Sequence, residues 1–204
     1  MHSFYGRYGK RACDLVIAAV AAVLLAPVAA AIAIIVWASL GRPILFRQNR
    51  AGQHGRIFTL IKFRTMTSGS AGVAAETDAA RLTRSGELLR RLSLDEMPQL
   101  LNVLRGDMSL VGPRPLLPEY LSRYSPEQAR RHEVKPGITG LAQVNGRNAL
   151  AWNQKFDLDV RYVREVSVIL DMRILIRTVG YLIRGTGTRH PGHATMPEFR
   201  GTSL

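Results

Sequence analysis

A chain of 204 residues with 47% hydrophobic side chains is long and apolar enough to bury a core, which excludes wholesale disorder. Twenty-eight Lys and Arg against fifteen Asp and Glu leave a formal charge of +13, a balance that calls for an anionic partner: nucleic acid, an acidic membrane surface or phosphorylated substrates. The single cysteine, Cys13, excludes an internal disulfide and, beside an apolar stretch, is expected to be a small buried residue.

The first predicted element is the run LVIAAVAAVLLAPVAAAIAIIVWASL, Leu15 to Leu40, which carries no charge. At about 1.5 Å rise per residue it can cross a hydrocarbon core of about 30 Å. It exceeds the h-region of a signal peptide, about 7–15 residues, and lacks the polar face of a soluble core helix. Pro27 lies near its middle, where a lost donor and a ring clash favour a kink. Arg7, Lys10 and Arg11 precede the run and Arg42, Arg47 and Arg50 follow it, so basic flanks do not set the two ends on opposite sides. A spanning helix and a re-entrant helix bent at Ala26-Pro27 both fit these residues. The expected organisation is a membrane helix with its basic flank over 1–42 and a cytoplasmic domain over 43–204.

Two short strands follow, Ile44–Arg47 and Ile57–Phe63, joined by a Gly-rich turn at Ala51–Gly55. Lys62 and Arg64 flank Phe63 and share one face, as on a solvated edge strand or beside an anion. TSGSAGVAAETDAA reads as a loop. Ser85 is placed to cap a short helix Gly86–Leu92 that carries Arg90 and Arg91. Met97, Leu100, Leu101 and Leu104 mark one face of a second helix, stopped by Gly106.

The start of that second helix matters most. Ser93 and Glu96 fit a capping box, but that register puts Pro98 at the fifth helical position, where a backbone donor is needed. With Asp95 as the cap, Pro98 falls at the third position, where none is needed. The Asp95 carboxylate then stands at the positive end of a helix, where phosphates bind. Asp95 and Glu96 are thus either a cap or a reacting pair.

Arg114 lies between Pro113 and Pro115, presented from a stiff turn suited to forking a phosphate. A polar helix about Pro126–Glu133 leads to KPGITGLAQVNGRN, whose turns deliver Arg147 and Asn148. AWNQKFDLDVRYVREVS is helical, with Trp152, Phe156 and Val163 on one face and Asp159 and Tyr162 nearby. In VILDMRILIRTVGYLIRG, Arg173, Arg177 and Arg184 interleave with apolar residues, as in a helix resting on an anionic bilayer or one packed on a core with a basic outer face. The Gly- and Pro-rich tail, with His190 and His193, reads as loop without metal-ligand spacing.

In this order, KFRTM, RRLSLDEMPQLLNVLRGDMSLVGPRP, KPGITGLAQVNGRN and FDLDVRYV behind a Pro-containing apolar helix resemble the monotopic bacterial phosphoglycosyl transferases, over nearly the whole chain. The short length and the tail GHATMPEFRG most resemble the small enzymes that charge undecaprenyl phosphate with phospho-diacetylbacillosamine. The resemblance implies an α+β fold: a re-entrant membrane helix kinked at Pro27, then a compact, mostly helical catalytic domain with short strands and interfacial helices. It implies an enzyme at the cytoplasmic face of the inner membrane whose Asp95–Glu96 dyad moves a phosphosugar from a UDP-sugar, with loss of UMP, to polyprenol phosphate. The route it implies passes through a phosphosugar held on Asp95. It further implies Mg2+ at Asp95 and Glu96, phosphate binding by Arg114, positive charge from Lys62, Arg90 and Arg147, and Asp159 near the same site. Relatives often carry Ser before the membrane proline, where this chain has Ala26. UDP-sugar, undecaprenyl phosphate and anionic lipids are the expected partners, with homodimerisation left open. A nucleic-acid-binding module would explain +13, but aromatics are only 7%, no recognition motif is present and the apolar run goes unused. A non-catalytic membrane adaptor gives no reason for an Asp-Glu pair beside a proline-clamped arginine.

Overall fold

The computed structural model describes Tyr5, residues 9–67, 81–146 and 149–184, Phe199 and Gly201. Helix α1 (Lys10–Leu40) is followed by strands β1 (Leu45–Ala51) and β2 (Ile57–Phe63) and helices α2 (Arg84–Arg91) and α3 (Gln99–Arg105). Strand β3 (Ser109–Val111), helix α4 (Pro126–Ala129), strand β4 (Gly137–Thr139) and helices α5 (Trp152–Glu165) and α6 (Val168–Arg184) complete it. Short strands beside a helical majority make this α+β.

Helix α1 runs through Pro27 without interruption for 31 residues, roughly 46 Å at about 1.5 Å per residue. Both of its ends are held by the same body. Near the start, Asp14 is buried and accepts from Ser109 Oγ at 2.7 Å and Leu110 N at 3.1 Å. Arg11 donates to the last carbonyls of α3, those of Val103 and Leu104, and so caps that helix. Lys10 pairs with Asp171 of α6 at 2.6 Å; the other oxygen of that carboxylate accepts from Tyr162. Near the end, Ile32 and Val36 pack with Phe63 and Leu89, while Arg64 donates to the carbonyls of Leu40, Gly41 and Arg42. Between these anchors the helix is bare: Val23 and Leu24 are 73% and 70% exposed.

Cys13 is exposed, which corrects the expectation of burial. It is the neighbouring Asp14 that faces the body, because two hydrogen bonds outweigh the cost of sinking a carboxylate.

Strands β1 and β2 pair antiparallel from Leu45↔Phe63 to Ala51↔Ile57, so β1 is longer than its apolar residues suggested. Ala51 N then donates to Leu116 O, joining this hairpin to the turn after β3. The outer edge of β2 is satisfied by one side chain: Asn102 of α3, fully buried, accepts from Ile61 N and donates to Thr59 O. An amide can imitate a strand neighbour because it carries both a donor and an acceptor. The central core gathers Ala18, Leu60, Val103, Met108, Leu110 and Tyr162.

Strands β3 and β4 pair in parallel, Ser109 with Gly137 and Val111 with Thr139. A Cβ on Gly137 would lie 2.1 Å from Gly112 N, so the close approach requires glycine. Gly137 N also donates to Pro113 O, which fixes where the Pro113–Pro115 turn leaves β3.

Helix α2 is capped by Thr83, whose hydroxyl accepts from Gly86 N, and not by Ser85, which reaches Ser39 instead. Gly86 lets α2 lie directly on β2's continuation; a Cβ there would meet Thr65 O at 2.1 Å.

Candidate active site

Four segments converge on the Asp95–Glu96 pair: the end of β2 with Lys62, α2 with Arg90, the turn before α3, and the Pro113–Pro115 turn with Arg114. The pair sits in a single 3-10 turn, Leu94–Glu96, entered through Ser93 at φ 56°. Neither sequence-derived cap register holds: Ser93 makes no side-chain cap bond, and the N-cap position of α3 falls on Pro98. Proline at that junction needs no donor, so the chain turns into α3 without help from either carboxylate. Both acids are thereby released from capping.

Asp95 is 4% exposed, and no side-chain hydrogen bond reaches it among the described residues. Burial and then the Glu96 charge push its carboxyl above the ordinary range, against the pull of Lys62, Arg90 and Arg114. Burial pulls Lys62 down, opposed by Glu96 and Asp95. Glu96 meets Arg114 Nη2 at 2.7 Å, and that carboxylate strengthens Arg114's hold on its proton. Arg90 is aimed by Thr65, whose buried hydroxyl accepts from Nε at 2.9 Å. The five groups named by the sequence as dyad and cationic shell are therefore electrostatic neighbours in space. Arg147 lies outside the described residues.

Asp159 stands behind this site and not within it. Its Oδ2 accepts from Arg131 Nη2 at 2.7 Å and Nε at 3.0 Å, and both residues are 3% exposed. Arg131 Nη2 also donates to Arg114 O at 2.7 Å, and Nη1 to Tyr124 OH. Asp159 therefore acts on the Arg114 turn through Arg131, a negatively charged group being poorly suited to touch phosphate itself. Sequence reasoning missed Arg131, Asn102 and Thr65. It also missed Lys155, which lies 5.1 Å over the Trp152 ring and is pulled down to about 8 by burial and by Arg114. Only the Lys155–Asp159 spacing of one helical turn offered a signal.

Among the described residues no group of three His, Cys, Asp or Glu gathers into a metal site. Two adjacent carboxylates are nevertheless a fitting donor set for Mg2+, which takes one or two carboxylates and completes its shell with phosphate oxygens and water.

The bacterial sugar transferase family model matches residues 5–185. The chain is 55% identical over 165 residues to the uncharacterized sugar transferase EpsL of Bacillus subtilis, covering 80% of this chain and 81% of that one. It is 42% identical to a UDP-glucose:undecaprenyl-phosphate glucose-1-phosphate transferase of Caulobacter vibrioides, over 85% of this chain and 69% of that protein. A protein of the same description from Escherichia coli is 40% identical over 83% of this chain but only 39% of its own length. With the match covering most of the sequence and every segment that builds the site, this chain belongs to the bacterial sugar transferase family.

Proposed function

We propose that this protein transfers a phosphosugar from a UDP-sugar to undecaprenyl phosphate through a phosphosugar covalently held on Asp95. The observation that carries the reading is a buried carboxylate, free of hydrogen bonds among the described residues, ringed by Lys62, Arg90 and Arg114. Both substrates are phosphate anions, and a carboxylate can approach them only where cations outweigh its own charge. The relatives from Caulobacter vibrioides and Escherichia coli are by name UDP-glucose:undecaprenyl-phosphate transferases, which supports a UDP-sugar and undecaprenyl phosphate as substrates here.

An Asp95 carboxylate oxygen attacks the β-phosphorus. The bond from that phosphorus to the bridging oxygen breaks, and its electron pair leaves with UMP. An oxygen of the lipid phosphate then attacks the same phosphorus and the Asp95 O–P bond breaks, restoring the carboxylate. Arg114 exchanges its contact with Glu96 for a phosphate oxygen; being half-exposed, it can do so without being dug out of the core. Bound at Asp95 and Glu96, Mg2+ would supply charge neutralisation to the diphosphate.

A re-entrant helix fits this chemistry. The anchoring of both ends of α1 to one body supports this reading, in which that body and both ends share one side of the bilayer and the bare middle of α1 enters lipid. Helix α6 adds a second surface, exposing Ile169, Met172 and Ile176 beside Arg173 and Arg177, the mixture that suits an anionic headgroup layer. Our reading of the sugar, an N-acetylated amino or diamino sugar such as diacetylbacillosamine, rests on the tail sequence, most of which lies outside the described residues.

The test is a panel of UDP-sugars given to the protein in nanodiscs. One of them should release UMP stoichiometrically without acceptor and catalytically with undecaprenyl phosphate, with the mass of a phosphosugar appearing on Asp95. No UMP without the lipid would mean direct transfer instead.

A further inference from the structure

Arg50 is a charged side chain with no task in the reaction as described. It stands on β1 opposite Phe58, yet its guanidinium turns toward the Pro113–Pro115 turn. Nη1 donates to Pro115 O at 3.4 Å, Nη2 donates to Gln48 Oε1 at 2.6 Å, and Nε is buried with no partner. Among the described residues it forms no ion pair. The contrast with Arg131, whose charge is answered by Asp159 at 2.7 Å, is direct.

The environment makes this arrangement costly. Burial, followed by the like charge of Arg114, brings Arg50 down to about 10; Tyr120, Glu96 and Glu119 oppose this only weakly. Glu96 is already committed to Arg114 at 2.7 Å. Two guanidinium groups thus stand at the Pro115 turn with Glu96 paired to one of them, leaving Arg50 without an ion pair among the described residues and with a buried donor unanswered.

We propose that Arg50 is a further substrate-binding residue that grips the nucleoside-side phosphate of the UDP-sugar and of the departing UMP. The inference rests on the phosphoglycosyl transfer argued above. Arg114 touches Glu96, beside the nucleophile, so the phosphorus under attack belongs on that side. From β1, Arg50 reaches the carbonyl of Pro115, the residue after Arg114 on that turn, and is thereby assigned the second phosphate of the diphosphate. When the bridging bond breaks, its electron pair stays on that second phosphate, which gains one negative charge. A guanidinium fixed there strengthens its contact as the charge develops.

The experiment uses the full chain in nanodiscs, with UMP and uridine as probes. Arg50→Gln should weaken UMP binding by about 10- to 100-fold, as for loss of a charge-assisted hydrogen bond, and leave uridine binding unchanged. Single-turnover UMP release should slow by a similar factor. Transfer from enzyme preloaded with phosphosugar to the lipid phosphate should proceed at the wild-type rate, since UMP has already left. The melting temperature without ligand should not fall. Arg47→Gln, on the same strand but exposed, serves as the control and should change none of these. Wild-type UMP affinity in Arg50→Gln overturns the proposal. So does equal slowing of both half-reactions with a lowered melting temperature, which would mark Arg50 as structural. Absence of UMP release from any UDP-sugar by the wild type would instead sink the proposed reaction, while the UMP titration still decides the fate of Arg50.

Discussion

Removing Asp159 separates what holds the fold from what aims the site. Asp159 and Arg131 are both 3% exposed and meet at 2.7 and 3.0 Å, so water does not screen them. Deleting one partner of such a pair leaves an uncompensated buried charge and costs about 3–5 kcal/mol. At about 2–4 °C per kcal/mol for a chain of this size, Asp159→Ala should melt roughly 6–20 °C below wild type. The other carboxylate oxygen, Oδ1, is buried without a partner, so the pair already carries a penalty. Replacing both residues, Arg131→Met together with Asp159→Leu, should therefore restore the melting temperature to within about 1 kcal/mol of wild type. Activity should not return with it. Arg114 O loses its donor when Arg131 goes, and a misplaced binding group costs about 100-fold in rate. Thermal melts followed by fluorescence and UMP-release kinetics on the three proteins decide the matter. A double variant that regains activity along with stability would refute the positioning of Arg114 by Arg131. A single variant losing under about 1 kcal/mol would refute the burial argument.

Asp95→Asn should abolish UMP release and also stabilise the protein. Asp95's carboxyl is raised in the folded state; below the ordinary value of 3.8 it is neutral in both states and costs nothing, and stability falls as pH rises through the raised value. The variant should thus melt above wild type at neutral pH and converge on it in acid; a lower neutral melt would show that the charge is net stabilising. For the same reason the acid limb of wild-type UMP release should lie above the usual carboxylate range, and a limb at or below it would place the ionisation elsewhere. Asp14→Ala orphans Leu110 N, at about 1–3 kcal/mol, and leaves Ser109 Oγ only Val111 O as an acceptor; it should lower the melting temperature more than Asp14→Asn, which keeps an acceptor. Cysteine tags before Arg7 and after Thr202 should be equally protected from an impermeant reagent in intact cells; labelling at one end alone would mean that α1 spans.

The sequence made the dyad and its cations legible because they lie in short motifs with local signals: a proline clamp, a strand end, an amphipathic helix. Strand Ile57–Phe63 was read from its apolar content and is found with those bounds. Arg131 was illegible because it sits among Arg130, His132 and Glu133, where a solvated face is the ordinary expectation. Its burial is set by Asp159, 28 residues away, and by Phe156 and Tyr124 beneath it. Asn102 hides within an apolar helix face, and its role exists only once β2 lies alongside. On α1 every face is apolar, so hydrophobicity cannot say which side packs. Asp14 decides that, and its partners are 95 and 96 residues distant.

That distance has a consequence for how the protein is made. Lys10 must wait for Asp171, 161 residues later, and at a synthesis rate of about 5–20 residues per second the wait is roughly 8–32 s. Through that interval the start of the apolar helix exists while the acid that clamps it does not. Its bare middle must be shielded by lipid or by a chaperone from the moment it leaves the ribosome. The ion pair between Lys10 and Asp171 is therefore among the last contacts the chain can make.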